Sequence, residues 1–493
     1  MFSLHTSTLT SHGHQLIEQM QALVSFVEAS LEDTRATHEV EEGLWRGVLA
    51  LGHSLLGAFF AASGDGDVGE EHRTEQGRVL KRLAPRTRPY RSVFGEFQLE
   101  RFVDGQREGQ AIEAIPLDAR LKLPETCTSF LLQSWNEQLM IEQPYAQTND
   151  LLERVLEVRQ SVQTLERQQA GLSTSVDAFW AQQPPPTPAS AETLVVNTVD
   201  GKGVAMRASE TQGVGGKKKM ALLGSVYSIA PFVRTPDSVL EALFAKKTSA
   251  LKRAPRARPK PLHKAVRAGL IRDAEDHSGE QTRMIFEWMQ QQNRLRNPDG
   301  TQHTVVLIDG QRSLWQAAAA YLPGEDVTEI LDLIHVAGYL WEAAEVLEDT
   351  PEQRRAWVKT ALGQVLHGQV ADVLTDLDAQ RKPRRGRARK RLDSVHTYLD
   401  GNRQRMAYDA YLEAGFPIAT GVIEGACRHL VKDRMERSGM RWTVPGAHAM
   451  LQLRSVAISE LWGPFMDCRI QSELTRLYGD QAANDDQALP IAA

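Results

Sequence analysis

The chain has 493 residues, a length suggesting roughly three domains at ~150 residues each, and its 42% hydrophobic content can support buried cores. A net charge of −6 excludes a uniformly basic nucleic-acid binder. Three scattered cysteines with no CxxC pair exclude a disulfide framework and a cysteine zinc site. No signal peptide is visible. The most apolar stretch, Gly47–Ala62, is shorter than the ~20 residues that span a bilayer and carries His53, so a cytoplasmic protein with no membrane partner is expected.

Residues 1–62 read as helices. Apolar residues recur at helical spacing from Ile17 to Val24 and again from Leu44 to Phe59, which predicts either an oligomerisation helix pair or a small helical core. Residues 63–182 follow as a hairpin plus a helical region. Tyr90–Val103 alternates as a β-hairpin, Glu113–Pro124 reads as a loop, and 125–170 is helical. Asn149–Glu157 and Ser161–Ala170 fit a helix-turn-helix, with Ser161 as cap and Gln163, Thr164 and Arg167 facing a major groove. Plain helix packing fits the same spacing. Pro184–Pro188 is a stiff linker, placed at 183–190.

Beyond the linker, Leu194–Val199 is a β-branched run ending in Asp200, and Met220–Ile229 is its hairpin partner. Residues 234–300 read as mostly helical around a basic segment. Thr304–Ile308 is a buried strand ending in Asp309. Glu329–Ile334 is a further strand, leading through His335 into a helix. Residues 350–414 are helical and charged, and 466–493 is a tail. Two stretches concentrate the positive charge. Arg381–Arg391 holds eight Lys or Arg in eleven positions, and Lys252–Arg267 holds seven with no acid. Such blocks are solvated loops or phosphate contacts.

Asp200 and Asp309 each follow an apolar strand and precede a glycine. That pattern marks a turn, but it also places a carboxylate rigidly enough to bind a metal ion. Gly415–Trp442 reads as an apolar turn and one long helix from about Thr420 or Gly421 to Ser438, with Gly439 as its C-cap. On it Glu424, Arg428 and Lys432 are spaced four apart and share a face, as an ordinary ion pair or as a carboxylate beside phosphate-binding cations. Asp332 ends a strand as well and rivals Asp309.

Five segments carry a resemblance: Val199–Arg207 (VDGKGVAMR), Val226–Phe244 (VYSIAPFVRTPDSVLEALF), Val305–Gly310 (VVLIDG), Asp332–His335 (DLIH) and Pro417–Trp442 (PIATGVIEGACRHLVKDRMERSGMRW). With these the chain resembles bacterial insertion-sequence transposases of the DDE type, in the Kra-type group. The resemblance implies a mixed α/β fold. A ribonuclease H-like catalytic core at 191–465 would carry an all-helical insertion at about 336–414, behind a mostly helical N-terminal region. It implies Asp200, Asp309 and Glu424 as a catalytic triad holding two Mg²⁺, with Mn²⁺ as a substitute. DNA, both transposon ends and target, is the implied partner, and a homo-oligomer on the nucleoid the implied state. The implied DNA contacts are Arg428, Lys432, Arg434, Arg437, Arg384, Arg385, Arg387, Lys217 and Lys218. Asp332 and His335 resemble the Asp/Cys-x-x-His element of Mutator-like transposases, and His335 also reads as a buried histidine. Two departures stand out. The cysteine pair that relatives place before the PLD loop is missing, so no zinc is expected. The cation seven residues after the glutamate is Val431 here, with Lys432 one position later. Trp442 and Trp341 read as packing residues or as stacking platforms for a flipped base.

Overall fold

The computed structural model describes residues 6–73, 77–187, 189–190, 192–213, 217–245, 258–271 and 279–479. Its chain divides into two compact units, Met1–Leu172 with Gly463–Ala493, and Ser173–Trp462.

The first unit opens with an antiparallel pair of helices, Thr6–Glu32 and Thr37–Ala62. Glycine lets them approach closely. A Cβ on Gly47 would stand 2.2 Å from Leu23, and one on Gly43 would stand 2.3 Å from Phe26. Thr37–Ala62 is long and apolar enough, by length and composition, to cross a membrane, and little of it is buried. Five strands follow: β1 (Glu71–Arg73), β2 (Val79–Arg82), β3 (Arg86–Ser92), β4 (Gly95–Arg101) and β5 (Asp104–Gly105). β3 and β4 form the expected hairpin, and β1-β2-β5 form a small sheet. The segment expected as a loop contains a short helix, Pro116–Arg120, started by proline at its first turn. Its Asp118 is buried between Arg88 of β3 (2.6 Å) and Arg101 of β4 (2.8 Å), which fixes the helix to the hairpin.

Helices Phe130–Met140, Tyr145–Leu156 and Val162–Ser173 complete this region. Ser161 does cap the last of them, accepting from the Thr164 amide at 3.1 Å, and Gln163 and Arg167 are exposed. The presumed tail is instead helical over Trp462–Tyr478, and Tyr478 donates to the Leu123 carbonyl at 2.6 Å. Residues 480–493 lie outside the described residues.

The second unit is built on one five-stranded sheet: β6 (Leu194–Ala205), β7 (Lys218–Ile229), β8 (Leu262–Leu270), β9 (Thr304–Ile308) and β10 (Val327–Leu331), in the order β10-β9-β6-β7-β8. β6, β7 and β8 are antiparallel, whereas β9 and β10 run parallel to β6. The buried Val195, Val196, Val199 and Val305–Ile308 show why: strands covered on both faces need continuous apolar runs. β8 corrects the helical reading of 234–300. Its alanines and cations favour helix, but Ala265, Val266, Ala268 and Leu270 are buried against β7, and tertiary packing outweighs propensity. Arg267, in the basic stretch, is not available to phosphate; it is buried and ion-paired with Asp177 at 2.6 Å. Residues 252–257 of that stretch lie outside the described residues.

Between β10 and Gly421 the chain is helical: Leu333–Leu347, Pro351–Leu366, Val370–Arg381, Gly386–Asn402 and Tyr408–Glu413. The Arg/Lys block spans the turn between the third and fourth of these and the start of the fourth. Arg381 and Arg389 pair with Asp393, and Arg391 pairs with Glu345.

Asp118→Ala would leave two arginines buried without their counter-charge. A loss of about 3–5 kcal/mol is expected in the denaturant transition of the first unit, whereas Glu96→Ala, whose pair with Arg91 is on the surface, should change it by less than about 1 kcal/mol.

Candidate functional site

The register of the parallel strands determines what meets at their ends. Ile308 of β9 is partnered by Val199 of β6 on one side and by Leu331 of β10 on the other. The next residues are Asp309, Asp200 and Asp332. Neighbouring strands lie ~4.8 Å apart, so three aspartates stand side by side, Asp309 and Asp332 just past the ends of β9 and β10 and Asp200 within β6 where its pairing with β9 stops.

Their environments differ. Asp332 is fully buried and caps helix Leu333–Leu347, accepting from the His335 amide at 3.1 Å and the His335 ring Nδ1 at 2.6 Å. Its other oxygen accepts from the Thr420 amide at 2.8 Å. Both oxygens are therefore engaged. The same bond to Asp332 raises the His335 pKa above its ordinary value, against the opposing effect of burial, with Asp309 and Asp200 adding to the rise. Asp309 is half-buried. One oxygen accepts from the Gln311 amide at 3.1 Å, but burial and the charges of Asp200 and Asp332 raise its pKa. Asp200 accepts from the Gly201 amide at 2.6 Å and from the Cys427 thiol at 3.3 Å. Burial and the Asp200 charge push that thiol's pKa far up, so it stays a donor.

Glu424 arrives on helix Gly421–Cys427, which packs on β6 and β7. Ligand atoms of Asp332, His335 and Glu424 lie within 4.8 Å of one another, a spacing that can hold a metal ion. Asp200 and Asp309 are outside this tightest group, although Asp309 feels both Asp200 and His335.

The single long helix expected at 420–438 runs without a break from Gly421 to Met435 but is not α-helical throughout. Gly421–Cys427 passes into a π-helical turn, Arg428–Lys432, then a short α-turn and a 3₁₀ turn that ends at Gly439 in the left-handed conformation, φ +73°. A π-turn accommodates one residue more than an α-turn. Val431 is buried, and Lys432 takes the exposed position that the seventh residue after Glu424 would take on a regular α-helix. Arg428 is exposed and reaches Asp433 at 3.7 Å rather than Glu424. Arg434 corrects the list of DNA contacts. It is 1% exposed, and its guanidinium lies over the Trp442 ring at 5.2 Å. Trp442 is itself a packing residue, buried and donating to the Met435 carbonyl at 3.0 Å.

Arg437, Arg385, Arg387, Lys217 and Lys218 are exposed, and Arg384 is half-buried with a bond to the Gln380 carbonyl. Lys218 pairs with Glu436 at 2.7 Å. That bond, with the nearby charges of Lys202 and Lys432, holds the Glu436 pKa low, so three lysines gather around Glu436. Lys217–Lys219 also border a cavity of about 410 Å³ whose wall includes Gly201 and Gln311, neighbours of Asp200 and Asp309.

Three residues were passed over in the sequence reading. Lys202 lies two positions past Asp200 on the same strand. Cys427 stands one helical turn after Glu424, and that spacing was the available signal. Tyr398 had none, because it comes from the distant helix Gly386–Asn402. Its hydroxyl donates to the Asp309 carbonyl at 2.7 Å, and its ring stacks on Tyr339, centroids 3.7 Å apart. Gly310, at φ +100°, admits that ring; a Cβ there would stand 2.7 Å from it. Tyr408 likewise donates to the Leu331 carbonyl at 2.7 Å, next to Asp332.

No family model and no curated protein matches the chain. Among solved structures it is similar to the Drosophila P element transposase strand transfer complex, at 11% identity and a TM-score of 0.25, over 73% of this chain and 84% of that one.

The raised Asp309 pKa has a defined sign. The folded chain holds that proton more tightly than the unfolded chain, so stability falls as pH rises through the Asp309 range and the ionised group is destabilising at neutral pH. In chelator at pH 7, Asp309→Asn should melt higher than wild type, and added Mg²⁺ or Mn²⁺ should raise the melting temperature of wild type alone. Tyr398→Phe should lower the melting temperature by the equivalent of about 1 kcal/mol, the value of one hydrogen bond.

Proposed function

We propose that the chain is a DNA transposase, with Asp200, Asp309 and Glu424 holding two divalent ions on a ribonuclease H-like sheet. One observation carries the reading. A sheet of three antiparallel strands continued by two parallel ones sets Asp200, within β6, beside Asp309 at the end of β9, and a helix beyond a long helical insertion brings Glu424 to Asp332 and His335 on the same side. The reading is supported by the order and direction of these strands, as expected of a ribonuclease H-like sheet, and by the segments that resemble DDE transposases, which contain these residues.

The donor set fits the ions. Carboxylate oxygens suit Mg²⁺, and the nearby imidazole of His335 is a ligand that Mn²⁺ also accepts. The strain at Asp309 is of the kind that a cation relieves. When bound, two such ions activate water and stabilise the leaving oxygen of an in-line phosphoryl displacement. Hydrolysis at the element's end then breaks the P–O3′ bond and frees a 3′-hydroxyl. In the joining step that hydroxyl's oxygen replaces a target 3′-oxygen on phosphorus, so the bond count is conserved.

Asp332 is better suited to positioning than to ligation, since both its oxygens are occupied. It orients His335 and, through Thr420, the start of the Glu424 helix. Lys432, Lys202, Lys218, Arg428 and Arg437 would neutralise DNA phosphates beside the acids, with Arg384, Arg385 and Arg387 further along the helical insertion. A second reading makes Asp332 the ligand in place of Asp309, because Asp332, His335 and Glu424 form the tightest group.

The test is cleavage and joining of labelled DNA carrying the ends that flank the gene, in Mg²⁺ or in chelator. Asp309→Asn should abolish both reactions, while Asp332→Asn should lower them about 10–100-fold, as for an outer partner of a metal ligand. The reverse ranking would exchange the two roles. Cutting without joining would leave a structure-specific nuclease. Salt-sensitive DNA binding with no cutting under any metal would leave a DNA-binding protein and sink the enzymatic reading.

A further inference from the structure

We infer that Thr420 and Cys427 are positioning residues, which from one face of helix Gly421–Cys427 hold Glu424 and Asp200 in the orientation in which the two carboxylates take a divalent ion. The inference rests on the metal site proposed above.

Thr420, Glu424 and Cys427 are separated by four and three residues, so they share one helix face. The π-helical turn begins one residue after Cys427, and all three positions keep the α-helical register. That face supplies one donor to each of three acids. The Thr420 amide donates to Asp332 at 2.8 Å, the Thr420 hydroxyl to Glu424 at 3.4 Å, and the Cys427 thiol to Asp200 at 3.3 Å. Both donor residues are buried, Thr420 at 3% exposure and Cys427 at 5%.

The threonine forgoes its ordinary task. It stands at the N-cap position, where a threonine hydroxyl commonly accepts from an amide of the first turn. Its side chain makes no such bond here, and its ψ of 22° is not that of the extended backbone usual for a cap. The hydroxyl turns to the Glu424 carboxylate instead. The helix loses a cap, and the glutamate gains an anchor.

Each acid needs that anchor for its own reason. Glu424 is exposed, and a free glutamate side chain rotates about three bonds. One oxygen of Asp200 is fixed by the Gly201 amide at 2.6 Å, and the thiol fixes the other. Without the thiol, the carboxylate pivots on the Gly201 bond. The Thr420 amide pins the start of the helix to Asp332, so both anchors are set from one rigid element. Both side-chain donors are also uncharged. A lysine or arginine in their place would pair with the acid and offset the negative charge that attracts a cation. A hydroxyl and a thiol fix direction and leave that charge in place.

The experiment is a Mn²⁺ titration of the full chain without DNA. It reads the ion concentration at which the melting temperature has risen by half of its maximal shift. Thr420→Val keeps the volume and removes the hydroxyl. It should raise that concentration about tenfold, as for an outer partner of a metal ligand, while the metal-free melting temperature does not fall, because no cap is lost. Thr420→Ser, which keeps the hydroxyl, should titrate with wild type. Cys427→Ala should also raise the concentration about tenfold, and Cys427→Ser, which lacks the same sulfur but keeps a donor, should lie between Ala and wild type. If Mn²⁺ stabilises wild type and titrates Thr420→Val and Cys427→Ala at the same concentration, this inference alone is overturned. It is also overturned if Thr420→Ser weakens the ion as much as Thr420→Val, since packing and not the hydroxyl would then be at work. A wild type that Mn²⁺ does not stabilise would overturn the metal site itself, and this inference with it.

Discussion

Mutual repulsion among carboxylates is the constraint around which the second unit is organised. Parallel register brings Asp200, Asp309 and Asp332 to one sheet edge, and Glu424 joins them from a helix. Each charge is met differently. Asp332 has an imidazole and two amides, Asp200 has an amide and a thiol, and Asp309 has one amide and a raised pKa. The uneven compensation gives the residues different roles. The fully satisfied aspartate holds the frame, and the poorly satisfied one keeps the largest uncompensated charge.

The helical insertion does more than separate Asp309 from Glu424 in sequence. Its tyrosines reach back to the strand ends. Tyr398 holds the carbonyl of Asp309, Tyr408 that of Leu331, and Tyr411 that of Glu329, while Arg405 pairs with the Glu329 side chain at 2.6 Å. Burial raises the pKa values of all three tyrosines, so they are hydroxyl donors at neutral pH. Backbone positions beside the acids are thus set by side chains up to 89 residues away.

What could be read in the sequence follows from how local the signal is. LVVNTV and TVVLI are apolar runs that end in aspartate, and that pattern is enough to place two strands and their acids. Ser161 as a helix cap is equally local. β8 was hidden because its alanines, lysine and arginine carry helix propensity, and only contact with β7 makes it a strand. The π-turn has no composition of its own, so the helix after Glu424 read as α-helical throughout. Arg434 looked like one more surface cation until Trp442, eight residues on, folded beneath it. Tyr398 and Cys427 gained their partners from tertiary structure alone.

Asp332 has a further consequence. One of its oxygens holds the first turn of the insertion and the other holds the amide of Thr420, 88 residues later, so a single side chain clasps both ends of the insertion. The acidic edge of the sheet therefore registers the closure and not the contents of that loop. The entropy of closing a loop grows only logarithmically, by about 0.6 kcal/mol for each doubling of length. Whole helices between the clasped ends are free to be gained, lost or exchanged over evolutionary time, provided that the aspartate and the residues that brace its neighbours stay where they are.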